Sequence, residues 1–211
     1  IIVVDAGFQF VSAESNAPGI NYILPNTQYL EERKHKIRAL VITHGHLDHI
    51  GGIPFIMERI GNPPIYTQFL TSLMILKRQE EFPHMDPVVV NVIKEGESFT
   101  VGKTKIKTFP VTHSIPDAMG VEIETNHGHV VVTGDIKIVH EEGEVVVEER
   151  ASWEKVGLNK NLVLLCDSTN ADRQGFSASE SRVFDTLEEI IKDSRGRLVI
   201  GTFASQFDRL T

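Results

Sequence analysis

Three histidines and one aspartate lie within six consecutive residues of this sequence, in the segment 44–49, which reads HGHLDH. Imidazole nitrogens and carboxylate oxygens are the ligands that suit zinc and other first-row divalent ions. A solvated polar loop can carry histidines by chance, but four side chains of ligand type in six residues favour a metal site. The segment therefore predicts a metal centre.

The neighbouring residues indicate how these side chains would be positioned. Residues 39–43 form an apolar run of strand length, and residues 51–60 read as a helix. The segment 44–49 would then lie on a strand-to-helix turn. His44 and His46, two residues apart in extended backbone, project to one side. Asp48 and His49 follow the bend and can serve a second position.

Two later residues extend the predicted site. His113 follows a predicted strand at 105–111, and Asp135 follows another at 129–133. A lone histidine is more often a core or surface residue, and a strand-end aspartate usually begins a turn. Both residues stand at the exits of apolar strands, as His44 does, so strands lying side by side would bring them together. We expect the other five histidines to be solvated: His35, His84, His127, His129 and His140.

Composition sets limits on the kind of protein. The chain has 211 residues, of which 41% are hydrophobic and 24% charged, as in a soluble globular protein, and its net charge is −8. This acidic balance argues against a general nucleic-acid coat protein, although it counts neither metal ions nor further parts of a longer chain. Cys166 is the only cysteine, which rules out an internal disulfide framework and favours the reducing cytoplasm. No apolar run approaches the ~18 residues of a membrane span.

The order of the predicted elements indicates an α/β layer structure, with two sheets and helices outside them. Further strands are predicted at 1–4, 65–66, 88–92, 98–101, 121–124 and 162–166, helices at 29–36 and 71–80, and hairpin turns at 126–128 and 141–143. Residues 177–180 read as a capping box, and the helix after it has one apolar face. Both ends of the chain fall in predicted strands, at 1–4 and 198–203, so we expect a part of a longer protein.

These motifs together resemble the metallo-β-lactamase superfamily: an aspartate at the first strand end (Asp5), HGHLDH, a later histidine (His113) and a later aspartate (Asp135). The runs LCDSTNA at 165–171 and IGTFAS at 200–205 resemble the β-CASP branch. DAGFQF at 5–10, THGHLDHIGG at 43–52 and HSIPD at 113–117 are similar to the ribonuclease J family. The resemblance implies an αββα sandwich of two mixed sheets with outer helices in residues 1–176, and the start of a β-CASP domain in residues 177–211.

The resemblance also implies two divalent metal ions, zinc first and manganese or magnesium as alternatives. One ion would be held by His44, His46 and His113, and the other by Asp48 and His49, with Asp135 bridging. Asp5 would steady the histidine loop, since such partners fix ring orientation. Two ions about 3.5–4 Å apart can lower the pKa of a water and orient a phosphate.

Three residues are implied to be catalytic: Asp48, His49 and Asp167. Asp167 matches the acidic residue of the first β-CASP motif, which would assist leaving-group protonation together with a histidine outside this chain. From the residues alone, Asp167 could equally begin a turn before Ser168. The family has further histidines, one of which completes the second metal site, and this chain has none after His140. We therefore expect the chain alone to be incomplete.

The function implied is a metal-dependent ribonuclease that hydrolyses RNA phosphodiester bonds, as a 5′-to-3′ exonuclease with endonuclease activity. It would act on RNA in the cytoplasm, would not associate with a membrane, and would form a dimer or tetramer when full length. A small-molecule hydrolase of lactones, thioesters or β-lactams could use the same ligands, but it predicts no β-CASP motif. A non-catalytic, metal-stabilised binding domain would need damaged ligands, and none is damaged.

Overall fold

The computed structural model describes residues 1–11 and 19–203. The strands are β1 (Ile2–Val4), β2 (Gln9–Phe10), β3 (Tyr22–Ile23), β4 (Ala39–Val41), β5 (Ile65–Thr67), β6 (Val90–Val92), β7 (Ser98–Val101), β8 (Thr104–Pro110), β9 (Met119–Thr125), β10 (Gly128–Val132), β11 (His140–Glu141), β12 (Glu144–Val145) and β13 (Asn161–Leu165). The helices are α1 (Gln28–Glu31), α2 (Leu47–Ile50), α3 (Ile53–Ile56), α4 (Phe69–Gln79), α5 (Val147–Gly157) and α6 (Glu180–Asp193), with a 3-10 turn at Lys34–Lys36.

Two larger sheets organise these elements. The first has the strand order β1-β4-β5-β6 and is parallel throughout. The second has the order β13-β10-β9-β8-β7, with antiparallel pairs except for the parallel pair β10-β13. The expectation of two mixed sheets is therefore correct only for the second. The first is parallel in the described residues because a crossover connection containing helices separates each strand from the next.

Alternation along β4 separates the layers of the core. Leu40 and the following Ile42 are fully buried against α3 and α4, in a cluster that includes Ile56 and Ile75. Ala39 and Val41 point to the other face and pack against the second sheet. Because side chains of a strand alternate between the two faces, β4 joins a helix layer to the space between the sheets.

A third cluster covers the outer face of the second sheet. Phe109 of β8 and Val131 of β10 pack against Trp153 and Val156 of α5. The order of layers is therefore helices, first sheet, second sheet, helix, which is the predicted αββα sandwich. Among the described residues, no helix has the length and apolar character needed to span a membrane.

Several predicted elements differ from the structure. The helix predicted at 51–60 is shorter and divided, because α2 begins within the HGHLDH segment and α3 is a separate turn with a proline in its first turn. The helix predicted at 29–36 is likewise split into α1 and the 3-10 turn. Helix α5 has no counterpart among the predicted elements, since its only buried residue is Val156 and its sequence shows little apolar periodicity.

The predictions for the last part of the chain need three corrections. Residues 198–203 form no strand, since no other described strand pairs with them. Helix α6 is capped by Ser179, whose side chain accepts a hydrogen bond from Arg182 N at 3.4 Å, and not by Ser177 as the capping-box pattern indicates. His140 is buried, with its Nε2 3.0 Å from Ser177 O, and His129 is half-buried and paired with the buried Glu122, so neither histidine is solvated. The division between residues 176 and 177 stays a prediction.

Candidate metal centre

The site begins where β1 and β4 end side by side. These strands are parallel neighbours, so Asp5 after β1 and Thr43 after β4 meet at one edge of the sheet. Asp5 has a φ of 61°, a left-handed conformation that aspartate tolerates better than most residues. Its Oδ1 accepts a hydrogen bond from Thr43 N at 2.8 Å. Its Oδ2 contacts Thr43 Oγ1 at 2.9 Å and His49 Nδ1 at 2.8 Å.

Four of the predicted residues form what we call the four-residue cluster: His44, His46, His113 and Asp135. His46 Nδ1 lies 3.1 Å from His44 Nε2 and 3.0 Å from His113 Nε2. Asp135 Oδ2 lies 3.8 Å from Nε2 of both His44 and His113. Each residue therefore directs one ligand atom towards a common point, and all four atoms lie within 4.8 Å of one another.

The three-residue cluster consists of Asp48, His49 and again Asp135. His49 Nε2 lies 3.2 Å from Asp135 Oδ1 and 3.9 Å from Asp48 Oδ2. Asp135 thus directs one carboxylate oxygen to each cluster. The side chain of Asp48 is 52% exposed, whereas that of His44 is 1% exposed, so the three-residue cluster faces solvent.

Three of the histidines are held in their neutral form. Burial, followed by the charges of neighbouring histidines, lowers the pKa of His44 from 6.5 to about 2. Burial also lowers the pKa of His46, although Asp48 and Asp135 oppose this effect. The pKa of His113 is lowered by burial and by His46. A neutral imidazole has a free lone pair, which is the form that binds a metal ion.

His49 behaves in the opposite way. Burial lowers its pKa, but hydrogen bonds to Asp135 and Asp5 and the charges of both carboxylates outweigh burial and raise the pKa to about 10. The hydrogen bond from His49 lowers the pKa of Asp135 to about 2, against the effect of burial. A metal ion in the three-residue cluster would therefore have to displace a proton from His49.

The donor set fits a divalent metal ion. Two bare imidazole nitrogens about 3 Å apart repel each other unless a proton or a cation lies between them. Tetrahedral zinc with nitrogen ligands at 2.0–2.1 Å places those ligands roughly 3.3 Å apart. The separations of 3.0–3.8 Å in the four-residue cluster lie on both sides of that value.

The structure also reveals residues around the site that the sequence patterns do not single out. Thr43 is buried and lies between Asp5 and His44. Asp117 Oδ2 accepts a hydrogen bond from Leu70 N at 2.7 Å, which fixes the loop after His113 to the first turn of α4. Both residues lie within quoted motifs, but no spacing rule marks them, because their partners are distant in sequence.

Gly7 explains how the loop after Asp5 approaches the histidine turn. A Cβ atom at Gly7 would lie 1.5 Å from Asp48 O, so only glycine fits there. The approach is fixed by hydrogen bonds from Ala6 N to His49 O and from Gly52 N to Ala6 O, both 2.8 Å. The backbone of Asp48 and His49 is therefore held directly against the end of β1.

Asp167 lies beside the site, next to the Asp135 loop. Its Oδ2 accepts a hydrogen bond from Ile136 N at 3.1 Å, and its Oδ1 accepts from Thr169 N at 2.9 Å and from Thr169 Oγ1 at 2.7 Å. Burial raises the pKa of Asp167, but these hydrogen bonds together have the larger effect and lower the pKa, so the group is a carboxylate at neutral pH. Asp167 therefore begins a turn, as one interpretation of the sequence predicts, and it also lies next to Asp135, which both clusters share.

The αββα sandwich with a histidine and aspartate cluster at the edge of its sheets defines the metallo-β-lactamase class. A family model described as "Beta-lactamase superfamily domain" matches residues 1–155. The chain therefore belongs to the β-lactamase superfamily.

Individual relatives agree with this assignment. The chain is 36% identical over 210 residues to ribonuclease J of Mycoplasma pneumoniae, and 37% identical over 217 residues to ribonuclease J of Thermus thermophilus. Each match covers 100% of this chain but only 36% or 37% of the relative. Among solved structures, a protein of unknown function from Enterococcus faecalis V583 matches with a TM-score of 0.67 and 16% identity, covering 99% of this chain and 56% of that one. At that identity the likeness concerns the fold alone.

Proposed function

We propose that this chain carries the metal-binding part of a ribonuclease that hydrolyses RNA phosphodiester bonds. The observation that carries the proposal is the arrangement of two clusters around one shared carboxylate, Asp135. A pair of adjacent cation sites suits phosphodiester hydrolysis, because it can balance charge on both the attacking and the leaving oxygen. The identity of 36–37% to ribonucleases J over the whole chain supports RNA as the substrate class.

In this proposal the four-residue cluster holds one divalent ion and the three-residue cluster holds the other. Zinc is our first choice because imidazole dominates the donors, with manganese and magnesium as alternatives. When bound, the ions would supply Lewis acidity and lower the pKa of a water between them. Asp5 orients His49 through Nδ1, and the exposed side of Asp48 is where a substrate phosphate can approach.

For Asp167 we propose a role in protonation of the leaving group. Because its hydrogen bonds favour the carboxylate, Asp167 accepts rather than donates protons at neutral pH. It would therefore orient a histidine from outside this chain, and that histidine would donate the proton. We further propose that the complete enzyme combines 5′-to-3′ exonuclease with endonuclease activity, and that it works in the cytoplasm as a dimer or tetramer.

The deciding experiment compares two substrates with the full-length protein. 5′-Monophosphorylated RNA and a simple lactone are each incubated with the wild type, His46→Ala and His127→Ala. His127 is exposed in the β9–β10 turn, so this substitution is a matched control. We expect RNA turnover by the wild type and His127→Ala, and loss of turnover in His46→Ala. Strong lactone turnover without RNA turnover would refute the proposal in favour of a small-molecule hydrolase.

A further inference from the structure

The side chain of Thr43 contacts both Asp5 and His44. It is 1% exposed. Its Oγ1 lies 2.9 Å from Asp5 Oδ2, 3.1 Å from Asp5 Oδ1 and 3.0 Å from His44 Nδ1. The hydroxyl therefore links the carboxylate to a histidine of the four-residue cluster.

The hydrogen atoms of this chain of contacts can be assigned from donor and acceptor rules. A carboxylate only accepts, so the single hydroxyl proton of Thr43 points to Asp5. The contact between Thr43 Oγ1 and His44 Nδ1 then needs its proton from the histidine. The neutral ring of His44 consequently carries its proton on Nδ1 and has a lone pair on Nε2, which is the atom that faces His46 and Asp135.

His49 contacts the same carboxylate without an intermediary. Its Nδ1 donates directly to Asp5 Oδ2 at 2.8 Å, and its Nε2 faces Asp135 Oδ1 at 3.2 Å. Asp5 therefore acts on one histidine of each cluster, directly on His49 and through Thr43 on His44. Outer partners of this kind fix the tautomer and the orientation of a metal-binding imidazole.

The side chain of Thr43 also lies against the loop that carries the shared aspartate. Gly134, which precedes Asp135, has a φ of 61°, and a Cβ atom there would lie 2.9 Å from both Cβ and Oγ1 of Thr43 and 3.2 Å from its Cγ2. Thr43 O also accepts a hydrogen bond from Met119 N at 3.1 Å, which joins the two sheets beside the site. The backbone and side chain of Thr43 are thus in contact with both the Asp135 loop and the second sheet.

We propose that Thr43 is a positioning residue of the metal centre. Its hydroxyl donates a hydrogen bond to Asp5 and accepts one from Nδ1 of His44, and so fixes the tautomer of His44 whose Nε2 lone pair faces the four-residue cluster. This inference rests on the proposed metal centre, but not on the choice of RNA as substrate. It predicts that the hydroxyl of Thr43 matters for metal affinity and that its methyl group matters less.

The test uses the full-length protein after treatment with a chelator. Cobalt(II) is titrated into the wild type, Thr43→Val and Thr43→Ser, and binding is followed by visible absorption of the metal. Thr43→Val keeps the shape and removes the hydroxyl, whereas Thr43→Ser keeps the hydroxyl. Thr108→Val is the matched control, since Thr108 is also fully buried but its hydroxyl bonds Glu97 O at 3.3 Å in the second sheet.

We expect Thr43→Val to weaken cobalt binding by about 10- to 100-fold, and Thr43→Ser to stay within about threefold of the wild type. Thr108→Val should bind as the wild type does. Equal cobalt affinities for Thr43→Val and Thr43→Ser would overturn the proposed role of the Thr43 hydroxyl. Failure of the wild type to bind cobalt at all would instead refute the proposed metal centre.

A second measurement does not depend on whether Thr43→Val folds. Nitrogen-15 NMR of histidine-labelled, metal-free wild type, with His44→Ala to assign the signal, reports which ring nitrogen carries the proton. We expect His44 to be protonated on Nδ1. A ring protonated on Nε2 would overturn the proposal whatever the variants bind.

Discussion

Replacement of Asp5 by asparagine tests how much one carboxylate contributes to the site. Asp5 is surrounded by donors: Thr43 N at 2.8 Å, Thr43 Oγ1 at 2.9 Å and His49 Nδ1 at 2.8 Å. Asparagine has nearly the same size, but one of its oxygens is replaced by an NH2 donor. An NH2 group that faces Thr43 N or the protonated Nδ1 of His49 would bring two donors together, and the charge that favours protonated His49 would be lost.

The size of the effect follows from these contacts. A hydrogen bond to a charged group contributes ~1.5–3 kcal/mol to the free energy of unfolding. The side chains of His49 and Asp5 are only 16% and 19% exposed, so solvent screens the pair weakly. We therefore expect Asp5→Asn to lower the free energy of unfolding of the metal-free protein at pH 7 by ~2–3 kcal/mol. The pKa of His49 should also fall from about 10, because only Asp135 remains to raise it.

Urea unfolding of chelator-treated protein, followed by the fluorescence of Trp153, measures this difference. Trp153 is the only tryptophan of the chain, and it packs against the second sheet. Asp172→Asn, a substitution at an exposed aspartate, is the control for the loss of one negative charge. If Asp5→Asn is no less stable than Asp172→Asn, the carboxylate of Asp5 does not stabilise the histidine turn through these contacts.

Three further results are expected. Metal-free protein should be most stable near pH 6.5–7. Below this range the unfolded state binds protons on the three histidines whose pKa is lowered in the folded state, so stability falls. Above it the unfolded state releases the His49 proton, which the folded state keeps up to about pH 10, so stability falls again. Urea titrations at pH 5, 7 and 9 check this, and stability that still rises at pH 9 would contradict it. In equilibrium dialysis with zinc, the four-residue cluster should bind more tightly than the three-residue cluster, and two equally tight sites would be inconsistent with the ligand count. Gly134→Ala should lower the free energy of unfolding by ~1–3 kcal/mol more than Gly96→Ala, because both glycines have positive φ but only Gly134 lies against Thr43. Equal melting temperatures of the two variants would show that this packing is unimportant.

The placement of the six predicted ligand residues could be anticipated because it depends on strand ends. Apolar runs before His44, His113 and Asp135 indicate strands with simple local patterns. Since strands of packed sheets end at a common edge, residues that follow them come together without knowledge of the detailed packing. The structure brings the predicted residues together in the two clusters, and their roles as metal ligands stay a proposal.

Other features depend on contacts between distant segments, which no local pattern encodes. Helix α5 has a mostly polar sequence and is identified only by the packing of Trp153 and Val156 on the second sheet. His140 has no apolar strand before it, yet it is buried because residues 176–177 fold back over it. Thr43 looks like the last residue of an apolar run, and its part in the site becomes visible only when Asp5 lies beside it.

The two clusters draw on both sheets, which ties metal binding to the packing of the sandwich. His44 and His46 follow β4 of the first sheet, whereas His113 and Asp135 follow β8 and β10 of the second. Neither cluster can form within one sheet, because Asp135 is common to both. The hydrogen bond from Met119 N to Thr43 O joins the sheets at this edge. A metal ion that binds only when the two sheets are packed together must therefore stabilise the contact between them. By the same linkage, a change that weakens this contact must weaken metal binding by the same free energy.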